Sequence, residues 1–209
     1  MSLIRCLVAA AIGAAFVPSA SAQEMSKEVK VDFKRVEVGS QNSPQFSAPN
    51  VKDKRWNPKI WLEIDAAFGV KKAPNPADKS PIVDSIELKY YVVLNKRDAS
   101  GKFILLTASI TYVNANEEDR ESHAMAFASP SSLARALGNP RYTVADLTPT
   151  AYAIVATRGG ALAGFHNTGG GAGAWWEKLE NFSVMDGLLL PKIKTPFAPL
   201  FVDYDLESK

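Results

Sequence analysis

An antiparallel β-sandwich of the immunoglobulin or fibronectin kind, with one short helix, is the fold class the sequence predicts, on three observations. Short runs of alternating apolar and polar residues recur along the chain, Gly- and Pro-rich connections separate them, and no strand is followed by a long helix. The chain has 209 residues, of which 46% are hydrophobic. That is enough to build one packed core and too apolar for a disordered chain.

The N-terminus reads as an export signal. Arg5 supplies a positive charge, residues 7–17 an apolar stretch, and Ala20-Ser21-Ala22 small residues before Gln23, the pattern a signal peptidase cuts. Pro18 interrupts the apolar run short of the roughly 20 residues of a membrane span. Residues 1–22 are therefore expected to be a cleaved secretory signal, and residues 23–209 a single sandwich domain with no transmembrane span. Cys6, the one cysteine, lies ahead of the apolar core and leaves with the signal. Without thiols the domain has no disulfide and depends on packing alone.

Arg5 is one of 24 Lys and Arg residues, so 23 face 22 Asp and Glu in the processed chain. Such a balance has no basic face for nucleic acid or an anionic membrane. Lys52, Lys54 and Arg55 form only a local run, expected in a solvated loop.

The first strand is expected over residues 28–38. Val29, Val31 and Phe33 alternate with charged residues, and after a slip at Arg35 the alternation resumes at Val36 and Val38, as a β-bulge requires. Residues 39–58, with four Gly or Pro positions, read as an irregular connection. In residues 59–68, Ile60, Leu62 and Ile64 share one face of a strand, and Trp61, Glu63 and Asp65 the other. The clearest hairpin joins residues 86–94 to 103–113. Ile86, Leu88, Tyr90, Val92 and Leu94 face Ile104, Leu106, Ala108, Ile110 and Tyr112, while Thr107, Ser109 and Thr111 point to a solvated side. Ser129 caps a helix with Pro130 at its first position, and Gly138 ends it. Residues 151–157, 184–190 and 199–206 complete the strand set, with a glycine-rich stretch over 159–173.

No catalytic, metal or cofactor constellation emerges. His123 and His166 stand apart, outside any HExxH spacing, and thiolates are absent, so both read as surface or loop histidines. No GxSxG elbow is present. Glu117-Glu118-Asp119 reads as a solvated turn, and Asp84 and Glu87 as residues framing a strand start. The run from Gly169 to Gly173 lacks the Gly-Lys-Ser/Thr closure of a phosphate loop. Trp175 and Trp176, if extended, point to opposite faces, one into the core and the other outward as a candidate contact for a sugar ring or a partner protein.

Across the whole chain the sequence resembles the pilus-like protein family of mucin-degrading intestinal Verrucomicrobia. The resemblance runs from Ala20-Ser21-Ala22 through Trp61-Leu62-Glu63-Ile64-Asp65 and Phe165-His166-Asn167-Thr168-Gly169-Gly170-Gly171 to Asp203-Tyr204-Asp205. It implies an immunoglobulin-like sandwich similar to archaeal pilins, encoded near type IV pilus genes and associated with the outer membrane or cell surface. It carries over no functional residue. The processed N-terminus, Gln23-Glu24-Met25-Ser26-Lys27, lacks the long apolar helix of type IV pilins, so the expected role is pilus-associated. That role is structural or adhesive and non-enzymatic, in the periplasm, outer membrane or cell surface, with pilus or envelope proteins or a second copy as partners. The alternative is a carbohydrate-binding module that recognises host glycans or a receptor. Strand donation by Val29-Val31-Phe33 is a further route to assembly, weighed against an intramolecular first strand.

Overall fold

The computed structural model describes residues 24–52, 54–169 and 173–209, so the expected signal lies outside the described residues. Nine strands among them are β1 (Val29–Asn42), β2 (Ile60–Lys72), β3 (Ile82–Arg97), β4 (Phe103–Asn116), β5 (Ser122–Ala128), β6 (Pro149–Arg158), β7 (Ala161–Asn167), β8 (Phe182–Asp186) and β9 (Leu189–Pro191). They form a four-stranded sheet, β1-β2-β5-β9, facing a five-stranded sheet, β7-β6-β3-β4-β8. The expected sandwich is present. It departs from pure antiparallel pairing at one place, since β4 and β8 run parallel. β7 and β8 follow one another in sequence but lie at opposite edges of this sheet, and β8 enters from the same end as β4.

The pairing of β1 with β2 contains the expected bulge. Phe33 sits opposite Phe68 and Arg35 opposite Ala67, leaving Lys34 unpaired in the register. The slip keeps Val29 and Val31 on the buried face before it and Val36 after it. With β1 seated on β2 of its own chain, the intramolecular alternative holds over strand donation. It also runs four residues further than expected, to Asn42. In the β3–β4 hairpin Leu88 lies opposite Ile110 and Val92 opposite Leu106, and these four side chains are buried with Leu62, Ile64 and Phe68 of the other sheet. Burying each such side chain stabilises the fold by about 1.5–3 kcal/mol. In the middle of this core the Tyr90 and Tyr112 hydroxyls are 2.9 Å apart, and Tyr112 donates to the Met125 carbonyl of the facing sheet at 2.8 Å. The pair thus satisfies its buried oxygens and ties the sheets together.

The helix α1 (Pro130–Leu137) has the expected ends: the Ser129 side chain accepts from the Ser132 N–H, and Gly138 takes the left-handed conformation at φ 62. Four expectations need correction. β5 was not expected, because all seven of its residues are buried and its Ala, Ser and His residues hide the alternation of a two-faced strand. The glycine-rich stretch contains the strand β7. Gly164 is required there by close approach, since a Cβ would lie 2.1 Å from the Val31 carbonyl oxygen where β7 meets β1. Residues 199–206 form successive turns rather than a strand, with Phe201 in the left-handed region at φ 52. Nor is the outer side of the five-stranded sheet wholly solvated. Ser109 is exposed, but Thr107 is buried and donates to Asp186 of β8 at 2.7 Å.

Candidate functional site

The outer face of the four-stranded sheet is built in register rows. Asp65 of β2 lies between Glu37 of β1 and Met125 of β5, and Glu63 lies between Gly39 and Phe127. The strand period of two thus lifts Trp61, Glu63 and Asp65 onto one surface, as the sequence predicts. A third layer crosses part of this surface: the C-terminal segment after β9. Phe197 stacks on Phe127 with ring centroids 4.7 Å apart and meets Trp61 edge-on at 5.5 Å. Further along, Tyr204 lies over His123 at 4.1 Å, and its hydroxyl donates to Asp65 Oδ2 at 2.7 Å.

Between these two anchors an open cleft of ≈ 510 Å³ remains, with Glu63 and Asp65 in its floor, Glu37 and Gln41 on one wall, and Phe201 and Tyr204 on the other. A buried ion pair sets the second wall. The Lys192 ammonium bonds Asp205 and donates to the Phe201 carbonyl at 3.0 Å. That carbonyl also accepts from the Tyr204 N–H at 3.0 Å, so the two bonds secure Phe201 in its left-handed conformation, and the residue is 72% exposed.

The cleft is electronegative. Burial pushes the Glu63 carboxyl above the usual carboxylate range, the Gln41 side chain opposes this by hydrogen bonding, and the neighbouring Asp65 and Glu37 charges add to it. Burial likewise raises the Tyr204 phenol to about 12, with its bond to Asp65 acting in the same direction. Burial raises Asp205 too, against the lowering by Lys192. The cations beside the cleft are committed, Lys192 to Asp205 and Arg35 to Glu37 at 3.3 Å. Among the described residues, no three His, Cys, Asp or Glu side chains come together as metal ligands.

The residues singled out from sequence lie mostly elsewhere. His123 is not a surface or loop histidine: it is a buried β5 residue, its Nδ1 3.0 Å from Asp65 and its Nε2 3.5 Å from Glu121. His166 is also in a strand, half-buried between Phe33 and Tyr152, and burial lowers its pKa. Trp175 and Trp176 are not extended but lie in a 3-10 turn (Trp175–Glu177). Trp176 packs on Ala153 and Val155 with 7% exposure, and Trp175 is half-buried against it and Phe182. Lys52, Lys54 and Arg55 are exposed, and Glu117 and Glu118 form the expected turn, in which Glu117 also accepts from the Lys72 N–H. Asp84 and Glu87 lie near the start of β3, where Glu87 accepts from Ser109 and Thr157.

Sequence reasoning assigns none of the cleft residues to a site: it expects Glu63 and Asp65 only on the outward face of a strand, and it gives no role to Phe197, Phe201 and Tyr204. Their only signal is a dense aromatic content beyond the last strand, and nothing local specifies which surface they cross.

Comparison with known proteins adds three findings. A sequence model of one protein family matches residues 22–209. No curated protein matches the chain. Among solved structures, a protein from Akkermansia muciniphila superposes with a TM-score of 0.71 at 23% identity, over 87% of this chain and 94% of that one, a likeness of fold.

Proposed function

The chain belongs to the family whose model spans residues 22–209, and from that membership we propose that it is an exported, non-enzymatic protein that joins or decorates a surface pilus system. The observation that carries this reading is the cleft beside the C-terminal segment, a surface equipped for contact. Its aromatic side chains and carboxylates are arranged for holding a partner. Both ring nitrogens of its one histidine neighbour, His123, face carboxylates, so no serine hydroxyl is activated there. Both oxygens of Asp65 are occupied by His123 and Tyr204. No helix among the described residues is long and apolar enough to cross a membrane. The proposed place of action is the periplasm, outer membrane or cell surface, reached through the expected signal at residues 1–22.

The test is a pull-down of tagged residues 23–209 from envelope extracts, with light scattering on the purified protein and surface labelling of cells. Recovery of pilus assembly proteins, or a defined homo-oligomer exposed at the surface, is expected. Free protein in the periplasm with no pilus component would discard the reading.

A second reading, a carbohydrate-binding module for host glycans, is favoured by one observation: Trp175 keeps part of its ring at the surface beside the buried Trp176. A glycan array read with Trp175→Ala tests it, and unchanged binding removes Trp175 from that role.

A further inference from the structure

The cleft has an aromatic wall and a carboxylate floor but no cation of its own to spare. Glu63 forms no ion pair among the described residues, and the nearby Lys192 and Arg35 are already taken. The full chain carries a net charge of +2, so the negative field is local to this surface and not a property of the whole molecule. The charged and titratable groups around Glu63 are Glu37 and Arg35 from β1, Asp65 from β2, His123 from β5, and Lys192, Tyr204 and Asp205 from the C-terminal segment. Rings flanking carboxylates are the chemistry that holds an ammonium or guanidinium group, through charge-assisted hydrogen bonds from below and ring-face attraction from the side.

Phe201 supplies a second, independent feature. A bulky residue in the left-handed region costs about 1–3 kcal/mol, and here it presents a largely exposed ring at the rim of the cleft. A buried lysine and a backbone N–H both secure it in that position. The fold thus holds an exposed apolar ring beside Glu63, a carboxylate that forms no ion pair among the described residues.

We infer that the cleft takes a lysine or arginine side chain of a partner protein, its cationic head on Glu63 and its aliphatic stem along Phe201 and Tyr204. This deepens the contact reading above and rests on it.

The test titrates the tagged 23–209 chain with a fluorescent Lys-Gly repeat peptide and its Arg counterpart. The comparators are the same lysine peptide fully acetylated and a neutral N-acetylhexosamine oligosaccharide. Binding of the two cationic peptides is expected, weakening as salt is raised. Glu63→Gln should weaken it about tenfold, and Phe201→Gly, which keeps the left-handed backbone, should weaken it severalfold. Asp84→Asn, at an exposed carboxylate of the other sheet, should leave it unchanged. Near-ultraviolet circular dichroism confirms that each variant is folded. Absence of peptide binding, equal binding of the acetylated peptide, equal loss in Asp84→Asn, or binding of the sugar in place of the peptides would each overturn the inference. If the envelope pull-down recovers pilus proteins undiminished with Glu63→Gln, this inference falls while the pilus reading stands.

Discussion

The two outer faces of the sandwich are covered in different ways, although an irregular, aromatic-bearing segment crosses each. On the five-stranded sheet the crossing segment closes the surface over β6. Ala153 and Val155 are small enough to admit Trp176, which Phe165 and Trp175 then flank. On the four-stranded sheet the corresponding positions carry Glu63 and Asp65, whose charge cannot be buried without partners. The C-terminal segment is therefore anchored at its two ends, by Phe197 and by Tyr204, and leaves a cleft between them. The difference lies in the outward residues of the strands beneath, small and apolar in one case and acidic in the other. One cover serves as a second core and the other forms the wall of a site.

The sharpest way to break this contrast is to remove one ring from each cover. Trp176→Ala should cost about 3–5 kcal/mol, as expected for truncating a buried tryptophan. Phe201→Gly removes an exposed ring and relieves the left-handed strain, offset by about 1 kcal/mol of added freedom in the unfolded chain, so it should leave the fold as stable as the parent or slightly more stable. Urea unfolding of both variants measures this, and a comparable loss in the two would make the covers equivalent.

The anchors of the C-terminal segment come next. Lys192→Met leaves Asp205 buried without its cation, and breaking one side of such a pair costs about 3 kcal/mol. The loss should be accompanied by faster proteolysis within residues 192–206. A variant as stable as the parent would show that the segment does not depend on the pair. Tyr204→Phe removes only the donor to Asp65, which keeps His123, so a cost of about 1 kcal/mol is expected. Because the ring still lies over His123, cleavage of the segment should change little.

The elements legible in the sequence are those with one buried and one polar face. The β3–β4 hairpin, the bulge between Phe33 and Arg35, the acidic outer face of β2 and the caps of α1 all follow from local pattern. β5 escaped because it is covered on both sides, so that Ala124, Ala126 and Ala128 alternate with His123, Met125 and Phe127 in size rather than polarity. The shared outward face of Glu63 and Asp65 was legible for the same reason the hairpin was, since they stand two apart on a strand, but nothing local marked that face as the floor of a site. Its wall was not legible. Phe197, Phe201 and Tyr204 reach the cleft through turns whose course is set by contacts with Phe127, Lys192 and Asp65, all distant or buried partners that no local period encodes. His123 was misjudged on the same ground, since its burial depends on Asp65, 58 residues away in sequence.

The smallest effect bears on whether the acidic floor is retained at a cost to the fold. Glu63 has a folded-state pKa raised by burial, so its ionised form is disfavoured by folding. That penalty is fully present above the raised value. It is relieved as pH falls through that value towards the ordinary carboxylate range, below which both folded and unfolded chains are protonated. Glu63→Gln, neutral at every pH and still able to bond Gln41, should therefore be slightly more stable than the parent at neutral pH, with the advantage shrinking towards zero on acidification. Paired urea titrations at neutral and acidic pH measure the change. A variant that is less stable at neutral pH would show that Glu63 supports the fold, and the four-stranded face would then be a structural surface like its counterpart. A gain that fades in acid would mark the carboxylate as one the fold tolerates rather than needs, the signature expected of a residue kept for what it binds.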